Sequence, residues 1–113
     1  MSTYYAKRGD VGSSVLEQLL DADGDGVNLT GADVRFLMSV PEADEPTVAD
    51  DAEIVTAATG HVKYTWVDGD LDDAGYYLAE WEVTYAAGAV ETFPADGYIS
   101  VVVREDLDVE ASS

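Results

Sequence analysis

Apolar and polar residues alternate along most of this chain with a period of two, which is the pattern of a β-strand with one buried face. The longest such run covers residues 76–86, where Glu80 and Glu82 fall on the polar side. The other side of the run carries Tyr77, Ala79, Trp81, Val83 and Tyr85. We therefore predict a long strand here, with its aromatic side packed against the interior.

Shorter runs of the same kind predict further strands, and turn-forming residues separate them. Asp and Gly cluster at residues 21–26 and 68–75, and the acidic stretch 41–51, which contains two prolines, is interpreted as a loop. The leucine spacing in residues 13–20 would also suit a helix, but a strand is favoured there. The further strands are predicted at residues 15–20, 34–40, 52–56, 60–66, 90–93 and 98–104.

About seven or eight short strands in 113 residues predict one all-β domain, a sandwich or a small barrel. We expect this domain to span residues 9–104. Residues 1–8 precede the patterned region and are predicted to form an N-terminal arm that docks on a neighbouring subunit. Residues 105–113 carry acids and no base, which indicates an acidic C-terminal tail. The assembly residues expected in the arm are Tyr4, Tyr5, Lys7 and Arg8.

The charge balance narrows the possible partners. There are 24 Asp and Glu residues against 5 Lys and Arg, for a formal net charge of -19. Nucleic acids and anionic membranes are excluded as partners, since both are bound through clustered Lys and Arg. Such an excess destabilises a compact fold through self-repulsion unless salt screens it. The surface is therefore interpreted as adapted to a high-salt cytoplasm, and the alternative is an acidic protein of ordinary salinity that binds cations or a basic partner.

The sequence predicts no membrane span, no secretion signal and no thiol chemistry. The chain has no cysteine, so neither disulfides nor thiolate metal sites are expected. No stretch of about 18 apolar residues predicts a membrane span. The first residues show no basic stretch followed by an apolar run, so no secretion signal is predicted.

The clearest candidate for metal binding is the sequence Asp21-x-Asp23-x-Asp25-Gly26, which matches the opening of an EF-hand calcium loop. The twelfth position of such a loop needs a bidentate Glu, and here it is Ala32. We therefore expect no obligatory cofactor and interpret this segment as an Asp/Gly turn, with Ca²⁺ or Mg²⁺ binding at Asp21, Asp23 and Asp25 as the alternative.

No catalytic centre can be assembled from the sequence. His61 is the only histidine, so a serine triad or a zinc site would have to use it, and no nucleophile motif accompanies it. We therefore predict that the protein is not an enzyme. The aromatic residues are expected to pack in the core rather than form a sugar-binding platform. They are Tyr64, Trp66, Tyr77, Trp81, Tyr85, Phe93 and Tyr98.

Two stretches, 8–38 and 72–103, carry motifs in a recognisable order. The first opens with Arg-Gly-Asp and contains Asp-Gly-Val-Asn-Leu-Thr-Gly-Ala before a strand ending in Phe-Leu-Met. The second carries Ala-Gly-Tyr-Tyr, Glu-Trp-Glu-Val-Thr-Tyr, Glu-Thr-Phe-Pro and Gly-Tyr-Ile. Together they resemble the N-terminal domain of the BppU family of phage baseplate upper proteins. The resemblance implies an Ig-like antiparallel β-sandwich and a structural role in a viral tail.

The resemblance implies a virion structural protein of a tailed virus, and the excess of acids adds the expectation that this virus infects a haloarchaeon. The expected role is a tail, baseplate or connector module that assembles with other virion proteins, as a homo-oligomer in a ring or trimer. Two alternatives stay open: a capsid-decorating protein, and a Ca²⁺-assisted adhesion or carbohydrate-binding module.

Overall fold

A computed structural model describes residues 3–94 and 97–105, and in this part of the chain nine strands form two sheets. A single turn of 3-10 helix, Ala57–Thr59, is the only helical element described there. The strands are β1 (Thr3–Lys7), β2 (Ser14–Gln18), β3 (Asp33–Ser39), β4 (Val48–Asp51), β5 (Glu53–Thr56), β6 (His61–Thr65), β7 (Gly75–Thr84), β8 (Val90–Phe93) and β9 (Ile99–Arg104).

The two sheets pack face to face as a β-sandwich, which confirms the predicted fold class. The larger sheet has the order β1-β9-β7-β3-β4, and β8 pairs with the second half of β7. The smaller sheet has the order β2-β6-β5. All pairings are antiparallel except that of β1 with β9. No helix in the described residues is long and apolar enough to cross a membrane.

The core consists of the inward faces predicted from the alternation. In β7 every second side chain from Tyr77 to Val83 is buried, and Phe36 of β3 and Trp81 are both 0% exposed. The Phe36 ring stacks on Tyr64 at 4.8 Å between centroids and meets Trp66 and Trp81 edge-on at 5.7 and 4.9 Å. Such stacked and edge-to-face pairs are favourable beyond their buried area.

Most of the aromatic residues predicted for the core are indeed there. Tyr64, Trp66, Tyr77, Trp81 and Phe93 are at most 5% exposed. Two behave differently: Tyr85 is half-buried, and Tyr98 is 46% exposed. Tyr98 directly precedes β9 and lies on the solvent side of the sheet, because the buried residue of the alternation is Ile99.

The segment 13–20 is a strand, β2, as favoured over a helix. The interpretation of residues 41–51 as one loop was wrong at its end, where Val48–Asp51 forms β4. Val48 is 2% exposed and pairs with Met38, but as a single apolar residue among acids it gave no alternation to detect. The chain then crosses between the sheets at Ala52, whose N–H donates to the Val34 carbonyl.

Residues 3–7 of the predicted arm form the edge strand β1 of the larger sheet, paired in parallel with β9. The predicted acidic tail, 105–113, lies outside the described residues except for Glu105, which is 3.4 Å from the Arg8 side chain. The strand β1 therefore adds to the sandwich that was predicted to begin at residue 9.

Candidate functional site

His61, which any histidine-dependent catalytic site in this chain would have to use, is exposed at the start of β6. Its Nδ1 lies 2.7 Å from the Thr59 hydroxyl oxygen, and no carboxylate contact is described for it. Among residues 3–94 and 97–105, no three His, Asp or Glu side chains come together as a metal site. The contacts of His61 are those of a residue that fixes a local turn.

In the 21–26 turn, the Asp21 carboxylate bonds to the backbone of its own turn. One oxygen of the Asp21 carboxylate accepts the N–H groups of Asp23 and Asp25, at 2.9 and 3.0 Å. The Asp25 carbonyl in turn accepts the Asp21 N–H at 2.8 Å, and Leu20 bridges to Gly26. This is the hydrogen bonding expected of Asp in a tight turn. Cation binding at Asp21, Asp23 and Asp25 stays a prediction.

The two tyrosines of β1 point in opposite directions. Tyr4 faces the interior, and its hydroxyl donates to the Leu16 carbonyl at 2.6 Å and lies 2.8 Å from a Glu17 carboxylate oxygen. Burial, together with Glu17, raises the pKa of Tyr4 well above its ordinary value. Tyr5 faces solvent at 65% exposure, and the Arg104 guanidinium lies 5.0 Å from its ring centre. Tyr4 therefore ties the two sheets together, and Tyr5 is available at the surface.

An apolar strip runs across the solvent side of the larger sheet, which we call the outer face. Tyr5, Val102 and Tyr76 lie directly opposite one another on β1, β9 and β7. Tyr76 is 51% exposed, and its hydroxyl lies 2.9 Å from that of Ser100. The apolar members of the outer face are Tyr5, Leu37, Tyr76, Leu78, Tyr98 and Val102. Exposed aromatic groups clustered in this way are typical of interaction surfaces.

Positive and negative side chains lie at different ends of the outer face. Lys7 and Arg104 lie opposite one another at the ends of β1 and β9, and we call them the cationic corner. Further along β7, Glu80 lies beside Leu37 in a groove of about 410 Å³. We call this the carboxylate groove: Leu37, Leu78, Glu80 and Tyr98 line it, together with Glu42, Asp44 and Glu45 of the loop after β3.

Glu80 is partly withdrawn from water on the outer face. Burial, and to a smaller degree the neighbouring Glu82, raises the pKa of Glu80 above its ordinary value. Arg35 lies 3.5 Å from Glu82, whereas no cation within 4.0 Å of Glu80 is described. A positive charge placed in the groove would therefore stabilise the ionised form of Glu80.

Sequence reasoning missed the outer face, although a signal for it was present. Tyrosine doublets occur at residues 4–5 and 76–77, and both fall in strands. Since successive side chains of a strand point to opposite faces, a doublet must place one ring inside and one outside. Tyr4 and Tyr77 are the inward members, and Tyr5 and Tyr76 are the outward ones.

Several tyrosine hydroxyls make the fold sensitive to high pH. Burial raises the pKa of Tyr4, Tyr64 and Tyr77, and burial with the Glu91 hydrogen bond raises that of Tyr85 to about 12. A pKa that is higher in the folded than in the unfolded chain stabilises the fold fully below about pH 10. That stabilisation is lost as the pH rises through the folded-state values.

We therefore expect the fold to stay intact to about pH 10 and to unfold cooperatively at higher pH. Circular dichroism should show the loss of structure together with a step in tyrosinate absorbance. The same titration in concentrated urea is the control, since the unfolded tyrosines should ionise near pH 10 without a cooperative step. A native chain whose tyrosines titrate as they do in urea would contradict this expectation.

Comparison with known proteins identifies the family of this chain and finds solved structures with a similar fold. The family model described as "BppU N-terminal domain" matches residues 2–109. The "N-terminal domain of phage TP901-1 ORF48" is similar in structure, with a TM-score of 0.68 and 17% identity over 91% of this chain and 85% of that one. CopC from Methylosinus trichosporium OB3b matches with a TM-score of 0.53 and 13% identity over 96% and 89%. At these identities the two structures bear on the fold alone. No curated protein matches the sequence.

Proposed function

Because the chain belongs to the family of BppU N-terminal domains, we propose that it is a non-enzymatic structural protein of a tailed-virus particle. Its place in the particle would be the tail, the baseplate or a connector. The family match across residues 2–109 is the observation that carries this proposal. His61, which a catalytic site in this chain would have to use, is exposed, and its described contact is the Thr59 hydroxyl.

The assembly role draws its support from the outer face of the larger sheet. A sandwich that folds alone has no need of an exposed aromatic row across three neighbouring strands, and here Tyr5 and Tyr76, at 65% and 51% exposure, flank Val102. We propose that this face contacts other virion subunits, in a homo-oligomeric ring or trimer or in a complex with other virion proteins. Tyr5 and Lys7 are the members of the predicted arm that reach this face; Tyr4 points inward.

The alternatives predict other surfaces. A carbohydrate-binding module would be expected to use exposed aromatic rings over a groove, and most of the candidate rings are buried in the core. A Ca²⁺-assisted adhesion module would use Asp21, whose carboxylate bonds to its own turn. A capsid-decorating role is compatible with the same fold and differs in location within the particle.

The charge distribution supports an adaptation to high salt as part of this proposal. Three ion pairs are described in residues 3–94 and 97–105, against 24 acids in the whole chain. Most carboxylates of the described surface therefore repel one another without a cation to offset them. A virus of a halophilic host would provide the salt that screens this repulsion.

Raising the KCl concentration from dilute buffer to molar levels is expected to raise the Tm of the isolated chain steeply. Each kcal/mol of relieved repulsion corresponds to about 4–8 °C in a domain of this size. Calorimetry or circular dichroism at pH 7 measures the shift. Sucrose at matched osmolality is the control, because it stabilises by exclusion without screening charge. A Tm that is the same in dilute and molar KCl would contradict the high-salt adaptation.

The structural role itself is tested by deleting the gene from the viral genome and supplying it again in trans. We expect the deletion to yield particles that lack an intact tail or baseplate, and complementation to restore them. Electron microscopy of the particles and plaque counts measure both effects. Complete and infectious particles assembled in the absence of the chain would refute the proposed function.

A further inference from the structure

The outer face carries two poles of opposite charge. At one end, Lys7 and Arg104 form the cationic corner, and no carboxylate within ion-pair distance is described for either. The other three cations of the chain, Arg8, Arg35 and Lys63, each lie within 4.0 Å of a glutamate. In a chain with 24 acids, a corner of two such cations is an unusual surface.

At the other end of the same face lies the carboxylate groove. Its floor is apolar, with Leu37, Leu78 and Tyr98, and no Lys or Arg lines it. Glu80 rises from the floor, and the loop after β3 adds three more carboxylates at the rim. The groove, of about 410 Å³, has room for the end of a lysine or arginine side chain whose methylenes contact the apolar floor.

The apolar strip separates the two poles. Tyr5, Val102 and Tyr76 form a row across three strands, and Leu78 lies two residues further along β7 towards Glu80. Along the strands, the order is therefore cation, aromatic strip, carboxylate. Such an order on one face is self-complementary. When a second copy is placed over the face by a two-fold rotation, its carboxylate end lies over the cationic end of the first copy, and the reverse.

We propose that two copies of this chain bind each other through their outer faces, with the cationic corner of each copy in the carboxylate groove of the other. The proposal rests on the assembly role proposed above and names a second copy as the partner. Such a pair is closed, so any ring or trimer that contains it would be built through other surfaces of the sandwich. In this isologous arrangement Lys7 and Arg104 of both copies face Glu80 and the rim carboxylates, so each charge contact occurs twice. Tyr5 and Tyr76 of both copies meet in the middle.

A second copy fits better than an unrelated partner because each copy supplies both poles. The net charge of -19 on each copy opposes association over long distances. At about 1 M salt the screening length falls to roughly 3 Å, which removes that repulsion. Salt also weakens the exposed ion pairs, so the aromatic strip provides the affinity and the charges determine the orientation.

Variants in which the charges of one pole are reversed test this arrangement. One variant, Lys7→Glu with Arg104→Glu, makes both poles negative; a second variant, Glu42→Lys with Glu45→Lys and Glu80→Lys, reverses all the groove carboxylates except Asp44 and makes both poles positive. In a dimer of either variant alone, like charges face one another across the interface. We therefore expect the Kd of that dimer to be at least about tenfold higher than the Kd of the unaltered chain. Mixed in equal amounts, the two variants should form a heterodimer, since each pole then faces its opposite.

Analytical ultracentrifugation of the full chains in a series of KCl concentrations up to molar measures these equilibria, and the effect of the charge reversals should shrink as the salt screens them. Lys63→Glu is the control: it also reverses a cation, but on the outer side of the smaller sheet, and it should leave the dimer unchanged. Circular dichroism on every variant ensures that only folded chains are compared.

A monomeric unaltered chain would overturn the proposal, as would variants that dimerise like the unaltered chain or fail to combine on mixing. If the chain is monomeric but the pole variants are excluded from particles, another virion protein occupies the face and the second-copy proposal is wrong. If the heterodimer forms while gene deletion leaves the particles complete, the dimer stands and the proposed function fails.

Discussion

Replacing Phe36 with alanine is expected to destabilise the sandwich by about 3–5 kcal/mol, which is a large part of the stability of a domain this size. The ring is 0% exposed and lies between both sheets, stacked on Tyr64 of β6 and in edge contact with Trp81 of β7. Removing it leaves a cavity that three large aromatic neighbours cannot close without breaking their own contacts.

Urea denaturation in molar KCl, followed by tryptophan fluorescence, measures this loss of stability. Val90→Ala is the matched control, since Val90 is 60% exposed on β8 and its truncation should change the free energy of unfolding by less than about 0.5 kcal/mol. Equal effects of the two substitutions would mean that Phe36 does not lie at the centre of the core.

Replacing Asp70 with alanine is expected to cost about 2–3 kcal/mol, because the Val67 N–H loses its acceptor and the Tyr64 hydroxyl keeps only its longer bond to Asp50, at 3.4 Å. Asp70 is 7% exposed, and its carboxylate accepts the Tyr64 hydroxyl at 2.6 Å and the Val67 N–H at 3.0 Å. These bonds connect the turn after β6 to the aromatic core. Burial and the Asp70 hydrogen bond also raise the pKa of Tyr64, which keeps its hydroxyl protonated as the donor.

The free energy of unfolding of Asp70→Ala should be compared with that of Asp68→Ala. Asp68 is exposed in the same turn, and its removal also lowers the negative charge by one, so it separates the lost hydrogen bonds from relieved repulsion. Asp70→Asn should recover part of the loss, since one oxygen of Asp70 accepts both bonds and an amide oxygen in its place can still accept them, without the negative charge. If Asp70→Ala is as stable as Asp68→Ala, the buried hydrogen bonds contribute nothing measurable.

The strands could be predicted where one face is buried, because burial imposes an alternation that the sequence displays. The strand β7 is the clearest case: Tyr77, Ala79, Trp81 and Val83 are all buried, as the pattern required. The strand β4 could not be found in this way, since Val48 alone points inward. Its extended conformation comes from pairing with β3, a long-range contact that leaves no local pattern.

The parallel pairing of β1 with β9 was equally inaccessible to local patterns. It joins residues about a hundred positions apart, and nothing in the first residues reveals which strand they will meet. An arm was predicted because Tyr4 and Tyr5 precede the long alternating runs. In a strand, such a doublet places one tyrosine on each side, which is how the structure arranges Tyr4 and Tyr5.

The candidate interaction face depends on the same long-range pairing. Its cationic corner exists because β1 aligns Lys7 with Arg104, and its groove exists because the loop after β3 meets Tyr98. The sequence showed the charge excess and the tyrosines but not that they share one face.

Cryo-electron microscopy of purified particles tests the central claim most directly. We expect several symmetry-related copies of this sandwich in the tail or baseplate, with the outer face of the larger sheet buried against neighbouring subunits. Particles that contain no copy of the chain, or copies whose Tyr5 and Tyr76 face open solvent, would contradict it.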